Sequence, residues 1–96
     1  MTNLDSLKWH VMDATADDWE SIDQIRPHVC AYHGPESDVQ IFEALRELHQ
    51  HRLVCLMDEN GNGVSEFPGD PSKHWFAMTA VGRRLWDDEG AKYRFE

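Results

Sequence analysis

Six histidines and two cysteines are the side chains here whose types suit metal binding or nucleophilic chemistry, and most of them fall in two groups. His28, Cys30 and His33 lie close together, as do His49, His51 and Cys55. A structural zinc site needs ligands that converge tetrahedrally and usually shows tight cysteine pairs. No C-x-x-C occurs, and His49 and His51, two apart on a helix, point in different directions. Surface histidines without a metal are the expectation. Cys30 with His33 can be drawn as nucleophile and base, but the sequence supplies no orienting third group. Asp58-Glu-Asn-Gly-Asn-Gly63 imitates the opening of a calcium loop, with Asp58, Asn60 and Asn62 as oxygen donors and Gly63 in sixth place. The twelfth position is Gly69 instead of a bidentate Glu, and the eighth is Ser65 instead of an apolar residue, so a Gly/Asn turn is expected. There is no phosphate loop, dinucleotide glycine pattern or nucleophile elbow, and the carboxylates read as solvated faces. The sequence predicts a non-enzyme with no cofactor.

Any remaining function must come from a surface, and the elements that carry it can be read from periodicity and punctuation. Leu4, Leu7, Val11 and Met12 fall at i, i+3, i+7 and i+8, one apolar stripe of a first helix over about residues 3 to 15. Trp9 and His10 lie off that stripe, which leaves one of them for a partner. Trp19-Glu20 reads as a short extended segment. Ser21 with Gln24 is a capping box for a second helix, whose apolar face is Ile22, Ile25 and Val29. Pro27 falls inside that helix, and Gly34-Pro35 ends it. Ser37 caps a third helix with Ile41, Phe42, Leu45 and Leu48 inward and Val39 added at its first turn. Arg52 to Met57 is a near-continuous apolar run, read as a buried strand. Asp58 to Ser72 reads as one long loop, rich in Gly, Asn, Pro and Asp. Trp75 to Met78 is an aromatic strand, and Thr79 caps a last helix spaced on Val81, Leu85 and Trp86. The tail at 91–96 alternates Tyr93 and Phe95 with charge.

The chain has 96 residues, enough for one domain with one core, and 41% of them are hydrophobic. Net charge is -9, from 18 acidic against 9 basic side chains, and such a domain repels nucleic acid unless it holds a local basic patch. No run reaches transmembrane length and the start is polar and acidic, so a cytoplasmic protein with reduced, buried cysteines is expected.

Two stretches carry a family resemblance. Ala44-Leu-Arg-Glu-Leu48 leading to Arg52-Leu-Val54 resembles the recognition helix and its exit strand in bacterial winged-helix regulators. Trp75-Phe-Ala-Met-Thr-Ala-Val-Gly82 resembles the aromatic–Leu–Thr–x–x–Gly signature after the wing in the multiple-antibiotic-resistance and phenolic-acid regulator families, with Met78 in the usual Leu place. The resemblance implies a winged-helix domain over 1–96, mainly α with a small antiparallel sheet (α+β). Its order would be helix, short strand, helix, helix, strand, wing, strand, helix, with the wing at about 58–73, the last helix at about 79–89 and the tail at 91–96. In those families the third helix enters the major groove and the wing contacts backbone or minor groove. Carried over by position, Ser37, Gln40, Arg46, Gln50 and His51, with Arg52 and Lys73 at the strand ends, are the residues placed toward DNA. Gln40 and Gln50 suit adenine and Arg46 suits guanine or phosphate. Asp38, Glu43 and Glu47 share that face, however, and the wing offers Asp58, Glu59, Glu66 and Asp70. The resemblance thus implies a DNA-binding regulator, with a protein-binding adaptor on the same fold as the alternative. Such domains commonly pair through their first and last helices, so a homodimer is expected, with Trp9, Trp86, Tyr93 and Phe95 as interface-prone residues.

Overall fold

Three of the four α-helices among the described residues begin behind a side chain that accepts from an otherwise unpaired backbone N–H, and in the other the helix's own Gln24 reaches back to the N–H of its cap. The structure is a computed structural model and describes residues 4–90. Helix α1 (Ser6–Ala14) starts behind Asp5, whose carboxylate accepts from the Lys8 N–H at 2.9 Å. Helix α2 (Ile22–Tyr32) starts behind Ser21, whose own N–H donates to the Gln24 side chain at 2.8 Å. Helix α3 (Asp38–Gln50) starts behind Ser37, whose Oγ accepts from the Gln40 N–H at 3.2 Å. Helix α4 (Ala80–Leu85) starts behind Thr79, whose Oγ1 accepts from the Gly82 N–H at 2.9 Å. Each such cap contributes about 1 kcal/mol. Pro27 does not end α2, because the carbonyl it deprives of a donor belongs to exposed Asp23, where water can pair it.

Three strands form one antiparallel sheet: β1 (Val54–Met57), β2 (Gly63–Val64) and β3 (Trp75–Met78), in the order β2-β1-β3. Val54 pairs with Met78 and Leu56 with Phe76, which puts Val54, Leu56 and Phe76 on the buried face. Beyond β3, Glu20 exchanges two backbone hydrogen bonds with Phe76, both 2.9 Å, so the expected extended segment at Trp19-Glu20 is one bridge wide. The described residues are therefore mixed α+β: four α-helices and a small antiparallel sheet. Its core draws Val11 and Met12 from α1, Ile25 and Val29 from α2, Ile41, Leu45 and Leu48 from α3, and Leu56 and Phe76 from the sheet. Burial stabilises each of these by about 1.5–3 kcal/mol. None of the described helices is long and apolar enough to cross a membrane.

Several sequence expectations need correction. Trp9 is 4% exposed and belongs to the core, so it is not a surface anchor. Val39 and Val81 face outward, 70% and 55% exposed, because α3 and α4 turn other residues inward. Inward on α4 is Gly82, while Leu85 and Trp86 are half-buried. Cys30 is exposed; only Cys55 is partly enclosed, and burial pushes its thiol up. The stretch from Asp58 to Ser72 is not one loop, since Gly63–Val64 pairs with β1 and Pro71–Lys73 forms a 3-10 turn. α4 stops at Leu85 and the chain continues as a π-helical turn, Trp86–Gly90.

Candidate interaction surface

The joint between α3 and β1 fixes how α3 is presented. His51 closes the helix, and Arg52 takes a left-handed conformation, φ 62°. The Arg52 N–H then reaches the His49 carbonyl and the Leu53 N–H the Leu48 carbonyl, both at 2.9 Å. This is a Schellman stop with Arg where Gly is usual, and a left-handed non-glycine residue costs about 1 kcal/mol. Thr79 locks the joint from the other side: its Oγ1 donates to the Arg52 carbonyl at 2.6 Å and its N–H to the Leu53 carbonyl at 3.0 Å.

α3 is flanked on both sides. On one side lies α1, and between them is a hollow of about 170 Å³ lined by Asp5, Leu7, Lys8, Gln40, Glu43, Ala44 and Glu47. Lys8 spans it, 2.6 Å from Glu47 and 3.3 Å from Asp5, and these carboxylates hold the Lys8 ammonium above its ordinary range. On the other side Phe67 folds back from the β2–β3 connection, with the Arg46 guanidinium 5.1 Å from its ring and the rings of His49 and Phe76 at 6.0 and 6.3 Å.

The three carboxylates of α3 each have a cation. Asp38 accepts from Arg26 at 2.7 and 2.8 Å, which holds its carboxyl below the usual range. Glu43 lies 3.9 Å from Arg46, and Glu47 is bound by Lys8. Local compensation explains how one helix face carries three acids, but it also occupies the cations.

The residues placed toward DNA by position therefore divide. Ser37 is the α3 cap, and the Gln40 side chain turns back toward the Ser37 N–H at 3.5 Å, so both serve the helix end. Arg46 is stacked on Phe67 and shared with Glu43. Gln50, His51, Arg52 and Lys73 are exposed. The β1–β2 turn adds no cation. Asp58 Oδ1 accepts from the N–H groups of Asn60 and Asn62 at 2.9 and 3.0 Å, which makes it a turn former, as expected of a Gly/Asn turn. Asp70 does the same for the 3-10 turn, accepting from the N–H and Oγ of Ser72, and these bonds depress its carboxyl.

A second polar cluster joins α1, α2 and the C-terminal turn. Asp13 accepts from Trp86 Nε1 at 3.1 Å and contacts His28 Nε2 at 3.0 Å. His33 lies 3.2 Å from both Ser6 Oγ and Glu36 Oε1, with the His10 ring 5.6 Å away. Desolvation, then repulsion from His33, pushes His10 below its ordinary value. Arg83 donates to the Ala16 carbonyl and lies over the Trp86 ring. Trp86 is thus tied into its own chain, while Tyr93 and Phe95 lie outside the described residues. The histidines and cysteines of the sequence do not converge: among the described residues no three or more His, Cys, Asp or Glu form a metal-holding group. His49 faces Phe67, and His51 faces α4.

No family model, curated protein or solved structure matches this chain.

Proposed function

We propose that this chain is a winged-helix-type protein-interaction module, an adaptor that works without binding DNA. The winged-helix reading is supported by the element order, by the Glu20–Phe76 bridge ahead of α2, and by the Thr79-to-Gly82 joint after β3. The observation that carries the adaptor reading is the charge on the would-be DNA face. Arg46, Lys8 and Arg26 neutralise acids of α3, while Asp58, Glu59, Glu66 and Asp70 stand between β1 and β3 with Lys73 only at their end. Freeing Arg46 from Phe67 would cost only about 1 kcal/mol. The wing acids are the larger obstacle, since they act over a Debye length of about 10 Å on every phosphate that approaches. An acidic surface of this kind suits a basic protein partner.

Fluorescence anisotropy with a random-sequence duplex across a salt series tests this reading. The expected result is no saturable binding at the lowest salt. Tight binding that weakens steeply with salt would overturn it in favour of the second reading, a DNA-binding regulator. That reading has its own support in Gln50, His51 and Arg52, all exposed at the C-terminal end of α3.

A further inference from the structure

We infer that the outer face of the sheet docks a basic amphipathic helix of a partner protein, an inference that rests on the adaptor reading and gives it a surface. Residues paired across an antiparallel ladder share a face, and successive residues alternate between faces. Val54, Leu56 and Phe76 take the core side, so the pairs Cys55–Ala77 and Met57–Trp75 stand on the other. Trp19, next to the Glu20 that bridges Phe76, alternates to that same side. A sheet face turned to water ordinarily carries polar side chains. Here all five are apolar or thiol, all are half-buried, and none belongs to the core cluster or packs against it. The neighbouring elements serve the opposite side: α3 brings Leu45 and Leu48 to the core, α4 brings Leu85, and Phe67 lies by Arg46 and Phe76. Trp and Met are also among the types enriched where protein interfaces close.

The occupant follows from charge and shape. Asp17 and Asp18 precede Trp19, and Asp58 and Glu59 follow Met57, against Arg52 and Lys73 at the strand ends. Among the described residues none of these four acids has an ion pair, whereas the α3 acids Asp38, Glu43 and Glu47 all do. An apolar face with unpaired acids at two of its corners is complementary to an apolar stripe flanked by Lys and Arg. An added strand is the poorer fit. The outer edge of β3 is taken, since Glu20 pairs with Phe76 and the Met78 N–H donates to the Thr15 carbonyl at 3.0 Å, and β2 is only two residues long. The face itself runs from β1 across β3 to Trp19, two strand spacings or about 10 Å. That is the width of one α-helix.

The test is anisotropy of a fluorescein-labelled leucine/lysine peptide of helical spacing, roughly four turns long, titrated with the full chain. Circular dichroism verifies the fold of each variant. Saturable binding that weakens with salt is expected, and Trp75→Thr and Met57→Thr should each weaken it by about tenfold. Tyr32→Ser, which removes an exposed aromatic on α2, should leave it unchanged. Absence of saturable binding would overturn the proposal, as would equal binding of a leucine/glutamate peptide or equal losses from Trp75→Thr and Tyr32→Ser. Two further results would give the face another occupant and overturn it too. One is a dimer in sedimentation velocity that Trp75→Thr dissociates. The other is a chain ending at Gly90 that binds the peptide about tenfold more tightly, which would assign the face to residues 91–96. Because no DNA enters the experiment, its failure is separate from failure of the adaptor reading.

Discussion

Gly82 shows most plainly how one residue holds the architecture. A Cβ built at this position would lie 2.1 Å from the Leu53 carbonyl oxygen, and the neighbour is backbone, which cannot rotate away. Substitution Gly82→Ala therefore forces α4 off the α3–β1 joint, and the helix-propensity gain of about 1 kcal/mol does not offset that. Net destabilisation of about 2 kcal/mol is expected, read as a lower urea midpoint at unchanged m-value. An unchanged midpoint would mean that α4 does not sit this close. The glycine itself was legible in the sequence as part of the Thr79-x-x-Gly82 signature. Its physical reason was not, because the carbonyl it accommodates belongs to Leu53, which only folding brings against α4, and nothing local marks it. Trp9 illustrates the same limit: its place off the Leu4–Leu7–Val11 stripe left it or His10 for a partner, but at 4% exposure it belongs to the core.

Among the elements, α1 and α2 meet over a histidine-rich seam with a predictable response to acid. His10 faces His33, His28 and Asp13 across this seam, and desolvation with repulsion from His33 lowers its proton affinity below the ordinary value of 6.5. The unfolded chain takes up that proton at its ordinary value, whereas the folded chain resists. The stability involved is thus fully present above pH 6.5 and is lost as pH falls through the lower folded-state value. His10→Gln should flatten the acid side of the stability–pH curve in chemical denaturation measured at stepped pH. A slope equal to that of the parent would exclude His10 as its source. At this scale the sequence was most informative where signals are local. Ser21, Ser37 and Thr79 each start the helix they were expected to start, and Trp75–Met78 is a strand with the predicted bounds. The pairing of Gly63–Val64 with β1 escaped notice, since two residues carry no period and their pairing partner lies across a turn.

For the whole molecule the governing quantity is the net charge of -9. Acids at Asp17, Asp18, Glu59, Glu66 and Asp87 stand exposed on separate parts of the surface and repel one another at long range. Added salt screens that repulsion more than it weakens close pairs such as Lys8–Glu47. The melting temperature should accordingly rise by a few degrees, about 3 °C, between low salt and about 0.5 M sodium chloride. A fall would show that attractive pairs dominate. The charge total was readable from composition, but its local neutralisation on α3 was not, because Arg26 and Lys8 reach Asp38 and Glu47 from other helices. The Thr79 clasp on Arg52 and Leu53 has a further consequence at this scale. It pins together the two ends of everything from β1 to β3, so that this stretch is a closed excursion whose span is set at its neck and not at its tip. Chain length at the β1–β2 turn is thereby uncoupled from the helical body, and an inserted sequence at Asn60–Gly61, both exposed, would be carried as a cassette that leaves the Phe67 contact with α3 in place.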